Sequence, residues 1–155
     1  MAFVNFIFFL SLVVWVGGML FFSFVGAPMI FKSLPPEYAG KAVAAIFPKY
    51  FPIGYISGLT AFVCTVVSGL KTGSWSPFKM LILIVMTALT ISNSFVTYPK
   101  AHSLKEEMQI SESRTDIQQL KDEFQRMHRW SMINNGIVLL LGIVLLFLTA
   151  RNLQI

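Results

Sequence analysis

Every charged side chain in this sequence falls outside four windows. Met1–Phe31, Tyr50–Leu70, Met80–Pro99 and Trp130–Ala150 contain no Asp, Glu, Lys or Arg, although the chain carries 12 basic and 7 acidic residues. Three of these windows run to about 20 residues, the length of helix that crosses a ~30 Å hydrocarbon core. The first is longer and accommodates a tilted span with its interfacial ends. Lipid offers the backbone no hydrogen-bond partners, so each window must be helical. The remaining composition agrees: mean hydropathy is +0.71 and only 12% of 155 residues are charged, too few to coat a soluble domain of this size. The expected fold is all-α, an integral membrane four-helix bundle with spans near residues 3–27, 50–70, 79–99 and 130–150. The first window lacks a basic approach and far exceeds the ~7–15 apolar residues of a signal-peptide core, so it is read as an uncleaved span. The lone Cys64 rules out an intramolecular disulfide and a cysteine-based metal cage.

The net charge of +5 is explained by its distribution. If the spans alternate, Lys71, Lys79 and Arg151 lie on one side. Lys32, Lys41, Lys49, Lys100, Lys105, Arg114, Lys121, Arg126 and Arg129 lie on the other. The positive-inside rule then makes residues 32–49 and 100–129 cytoplasmic and both termini external. The basic excess orients the chain and implies no nucleic-acid partner; the expected partners are membrane lipids.

Local patterns fill in the bundle. Gly17 and Gly18 remove two side chains where a neighbouring helix would approach. Pro35-Pro36 suits a helix start and Pro48 a helix end, which predicts a short interfacial helix over residues 36–47. Gly54 and Gly58 carry the small-xxx-small spacing that brings membrane helices together, within the monomer or in a homo-oligomer. In the third span Thr87, Thr90, Ser94 and Thr97 recur at steps of three or four, with Asn93 beside them; such a stripe should face protein. Beyond Pro99 the pattern turns polar, "SESRT" reads as a turn, and Thr115 with Gln118 matches a capping box. Ile117, Leu120, Phe124, Met127, Ser131, Asn134 and Val138 then form one unbroken helical stripe. It predicts a single rod of about 35 residues, roughly 50 Å long, packed on the extension of the third span as an antiparallel hairpin over residues 100–129. Asp122 and Arg126 have the spacing of an i,i+4 pair.

Two sets of residues invite a chemical reading. His102 and His128 fall near the same expected depth, and Met132 follows His128 by one turn. Such a set would suit copper, and two axial histidines would suit haem; interfacial histidines that hydrogen-bond headgroups or backbone are the alternative. Asn134 and Asn135, about a turn inside the membrane and within reach of Asn93, with Ser131 on the same helix, read as inter-helix glue or as the lining of an oligomeric permeation path. No ionisable residue lies inside a span, which removes support for proton-coupled transport. No phosphate loop, HExxH or complete catalytic set is present.

The stretches "VVWVGGMLFFSFVGAPMIFKSLP", "AGKAVAAIFPKYF" and "FQRMHRWSMINNGIVLLLG" resemble the four-span domain of unknown function that includes eukaryotic transmembrane protein 205. The resemblance covers nearly the whole chain and implies a four-helix membrane bundle, without an assigned reaction. A more distant likeness runs to copper-resistance D membrane proteins and to haem-holding membrane protoporphyrinogen oxidases. Those oxidases place a histidine about seven residues before a Trp-x-Gly-Gly-like motif. Phe8 stands there in this chain, so haem chemistry is not carried over. The expectation is a structural, interaction or small-solute and lipid-associated role, with metal or haem handling and an oligomeric channel as alternatives.

Overall fold

The computed structural model describes residues 1–111 and 113–151, and no strand occurs among them. Four helices follow one another: α1 (Ala2–Ser33), α2 (Pro36–Thr72), α3 (Pro77–Ile110) and α4 (Arg114–Arg151), each long and apolar enough to cross a membrane. At most a third of the most apolar window of each is buried inside protein. Phe3, Phe24, Leu59, Leu140 and Phe147 point outward. Apolar exposure on this scale is stable only in lipid. The chain is a multi-pass membrane protein.

The helices close a ring, α1 on α2, α2 on α3, α3 on α4, and α4 back on α1. The turns at Leu34–Pro35 and around Ser111 share one end, here the two-turn end. The Gly73–Ser76 turn, the start of α1 at Ala2 and the end of α4 at Arg151 share the other, the terminal end. Gly73 adopts φ +70°, the left-handed conformation that ends α2 and suits glycine alone. Leu12, Leu83, Met86, Val138 and Leu145 are fully buried at the centre. Gly142 makes room on α4 for the side chains of Val16 and Met86.

The C-terminal rod is unbroken: α4 is an α-helix of 38 residues, about 57 Å long at 1.5 Å per residue. Its predicted stripe, from Ile117 through Met127 to Val138, faces inward as half-buried or buried positions. Lys100 Nζ meets Glu123 Oε1 at 2.8 Å and Asn93 meets Asn134 and Asn135, so α3 and α4 keep one antiparallel register beyond the apolar windows. The start of α4 differs from expectation. Ser113 Oγ accepts the Asp116 N–H at 3.5 Å, which makes Ser113 the cap in place of Thr115. Gln118 donates to Asp122 Oδ1 at 3.1 Å, and Arg126 faces Glu123 at 3.8 Å instead of Asp122. Glu112, inside the expected turn, lies outside the described residues.

A larger correction concerns Pro48. The expected interfacial helix at residues 36–47 is not separate; α2 runs from Pro36 to Thr72 through both Pro48 and Pro52. A proline in a helix leaves the carbonyl four residues earlier without its donor, here that of Ala44. The hydroxyl of Tyr98 on α3 donates to Ala44 O at 2.9 Å and replaces the missing N–H. At Pro48 a neighbouring helix thus supplies the bond that the proline removes.

Pro28 and Pro99 are absorbed differently. Each follows a five-residue π-helical turn, Phe22–Gly26 in α1 and Asn93–Thr97 in α3. The residue before each proline donates five residues back, Ala27 to Phe22 O and Tyr98 to Asn93 O. The extra residue widens the helix where the pyrrolidine ring would otherwise strike the preceding turn. The same six-residue pattern underlies both: Ser23-Phe24-Val25-Gly26-Ala27-Pro28 and Ser94-Phe95-Val96-Thr97-Tyr98-Pro99.

Candidate functional site

The π-turn of α3 starts at Asn93, which is fully buried. Its Nδ2 donates to Asn135 Oδ1 at 3.2 Å and, more weakly, to Ser131 O at 3.5 Å; its Oδ1 accepts from Asn134 Nδ2 at 3.2 Å. Every bonding capacity of the Asn93 carboxamide that matters in a dry interior is thereby met. Thr90 and Thr97 are buried on the same face, Ser94 is half-buried beside them, and Thr90 returns its proton to Met86 O at 2.9 Å. Asn93 is more deeply buried than Ser94, because Met86, Thr90 and Asn93 follow one another inward at steps of four and three.

Around the first π-turn the contacts are aromatic. Phe22 lies 5.2 Å from Tyr50 and 5.8 Å from Phe47 between ring centroids. Phe47 stacks on Phe51 at 5.2 Å, and Tyr98 meets both edge-on. This aromatic clasp ties α1, α2 and α3 together beside Pro48.

Between the clasp and the carboxamides lies a crevice of about 50 Å³, lined by Trp15, Met19, Tyr50, Phe51, Gly54, Thr90 and Asn135 and rimmed by Val14, Gly18 and Ile53. The rim residues are exposed. Trp15 is 3% exposed, yet its indole N–H has no acceptor among the described residues. The Asn135 Nδ2 and the Tyr50 hydroxyl likewise make no hydrogen bond to them. Three donors without a partner among the described residues therefore border one small space; none is sealed off, since no fully buried side-chain nitrogen or oxygen among those residues lacks a partner.

The glycines divide here. A Cβ on Gly54 would press on Trp15 and Thr90, and one on Gly58 would collide with Trp15 and Thr87, so this pair packs within the monomer. Gly17 and Gly18, expected at a helix contact, meet nothing within 4 Å of an added Cβ. They are exposed, and Gly18 leaves the mouth of the crevice open. Sequence spacing does not distinguish a glycine that admits a helix from one that admits a ligand.

The two histidines each make contacts of their own. His102 Nδ1 pairs with Glu106 at 3.4 Å and its ring neighbours Tyr98; His128 stacks on Phe124 at 6.3 Å. These contacts lie within each imidazole's own helix. Both rings are exposed, and Met132 faces outward at 58% exposure. Among the described residues no three His, Cys, Asp or Glu side chains gather as a metal site would require.

Residues 10–110 match the family model described as a domain of unknown function, DUF4149. The chain belongs to that family. The matched segment holds both π-turns, the aromatic clasp, Asn93 and every crevice residue except Asn135. An uncharacterized protein of Aquifex aeolicus (strain VF5) is 35% identical over 86 residues, which cover 55% of this chain and 59% of that protein. The chain thus aligns with about three fifths of the length of the curated relative it matches. No solved structure matches.

Proposed function

We propose that this DUF4149 protein is a lipid-associated membrane protein whose crevice receives the carbonyl of a lipophilic molecule (a ketone, ester or quinone) from the bilayer. One observation carries the reading: the Trp15 side chain is buried while its indole N–H, without an acceptor among the described residues, stays open at a crevice whose rim Gly18 leaves free. The volume suits a small polar head with its tail left among the rim residues. An embedded carbonyl would satisfy donors that the fold leaves unmet, each worth about 0.5–1.5 kcal/mol net. The motifs that resemble transmembrane protein 205, Trp15–Gly18 and Phe47–Phe51, fall on this crevice and its clasp. The basic excess supports an orientation with residues 32–49 and 100–129 in the cytoplasm.

The test keeps Trp15 as the sole indole, with Trp75→Phe and Trp130→Phe, and titrates the purified chain with a long-chain methyl ketone or the alkane of equal length. The expected result is a saturable change in Trp15 fluorescence with the ketone alone, abolished by Gly18→Leu at an unchanged melting temperature. A response that is linear, shared by the alkane or indifferent to Gly18→Leu refutes the assignment.

A further inference from the structure

At the terminal end, away from the crevice, a cavity of about 210 Å³ open to the surface is lined by Val4, Asn5 and Phe8 of α1, the last turns of α2, the turn before α3, Lys79 and Thr149. Its threonines are spoken for as donors: Thr65 bonds to Ala61 O, Thr72 to Ser68 O and Thr149 to Leu145 O. The Asn5 carboxamide, the Ser68, Ser74 and Ser76 hydroxyls and the Lys79 ammonium find no partner among the described residues. Five side chains with free nitrogen or oxygen donors therefore border one space, and one of them is a cation.

The charge pattern makes the cation unusual. The chain's acidic residues are at positions 37, 106, 107, 112, 116, 122 and 123, and those among the described residues lie toward the two-turn end. The terminal end has Lys71, Lys79 and Arg151 and no acidic side chain. Lys79 is half-buried, and an ammonium withdrawn from water gains most from an anion that accepts several hydrogen bonds. It borders the uncharged window Met80–Pro99, the depth at which headgroup phosphates lie.

We propose that this cavity is a phosphoryl-binding site, in which Lys79 supplies the charge and Ser68, Ser76 and Asn5 supply neutral donors. The chemistry is shared by a phospholipid headgroup and a free phosphate, and the experiment separates them. The full chain is reconstituted in nanodiscs of phosphatidylcholine with graded phosphatidylglycerol, and bound lipid is counted by native mass spectrometry after release into detergent. A parallel arm titrates inorganic phosphate against the lipid-bound protein. Retention of phosphatidylglycerol should fall at least tenfold in Lys79→Met, recover in Lys79→Arg and remain unchanged in Lys71→Met, whose exposed lysine does not line the cavity. Displacement of the lipid by inorganic phosphate assigns the site to free phosphate as well; persistence of the lipid assigns it to the headgroup. Equal losses in Lys79→Met and Lys71→Met, or no selective retention in the wild type, overturn the proposal. Should Lys79→Met fail to fold, the Ser68→Ala/Ser76→Ala pair replaces it, and unchanged retention there overturns it too.

Discussion

If Tyr98 completes α2 at its proline, removing the Tyr98 hydroxyl should matter only while that proline is present. In Tyr98→Phe the ring keeps its edge contacts with Phe47 and Phe51, at 5.5 and 6.0 Å, and loses only the 2.9 Å bond to Ala44 O. Inter-helix hydrogen bonds in membrane proteins average about 0.6 kcal/mol and reach about 1.7. A part-buried carbonyl left empty costs about 1–3 kcal/mol. The expected loss is therefore about 1–2 kcal/mol, toward the upper end of the membrane range because no second donor is at hand. Pro48→Ala restores an N–H four residues after Ala44, the ordinary helical donor. In that background the same Tyr98→Phe change should cost only a few tenths of a kcal/mol, a coupling of about 1 kcal/mol between residues on different helices. Equilibrium unfolding of the purified chain in mixed micelles with rising dodecyl sulfate, followed by helical circular dichroism, measures all four corners of the cycle. A Tyr98→Phe cost that is the same, within about 0.3 kcal/mol, with and without Pro48 refutes the argument.

Two further outcomes follow from the polar contacts. Asn93→Leu removes the bonds to Asn134, Asn135 and Ser131 and strands two carboxamides, so it should destabilise the bundle by about 1–3 kcal/mol in the same assay; an unchanged midpoint would show that the three amides contribute no net stability. The Lys100–Glu123 pair responds to pH, since the Lys100 hydrogen bond and charge hold the Glu123 carboxyl below its ordinary value. Its contribution is complete above that ordinary value and vanishes as pH falls through the lowered one. Protection of the amides of residues 100–129, relative to their intrinsic exchange at each pH, should fall across that acid interval, modestly and less so at high salt, because the pair is open to solvent. Glu123→Gln should remove that step, and a step that persists in the variant assigns it to another group.

The spans, the continuous α4 rod and its alliance with α3 were legible because lipid forbids charge and an unbroken stripe needs a partner along its length. The Asn93–Asn134 meeting was legible for the same reason: an amide in a dry interior has few places to go. Pro48 was misread because a one-dimensional pattern sees the lost donor and cannot see a tyrosine arriving from 50 residues downstream. Gly17 and Gly18 were misread because absence of a side chain has the same spelling at a contact and at an opening. Crevice and cavity were invisible because their donors are scattered over the chain. The paired Ser-Phe-Val-x-x-Pro pattern was present in the letters, and a search for short repeats would have found it.

That repeat also explains why the two halves of the bundle carry different chemistry. In each half a π-turn opens at an inward residue and a proline follows six positions later. The opening residue meets the second helix of its own hairpin: Phe22 packs on Phe47 and Tyr50 of α2, and Asn93 bonds to Asn134 and Asn135 of α4. The plan is common, and the substituent at one position decides whether the joint is greased or hydrogen-bonded. An aromatic joint consumes no donors. The amide joint takes two carboxamides from α4 to satisfy one from α3. This leaves Asn135 with its oxygen engaged and its Nδ2 unspent at the crevice that Trp15 and Tyr50 also line. The free Nδ2 is thus a consequence of placing the polar version of the joint in the second half, since an aromatic joint there would bring no carboxamide to the crevice.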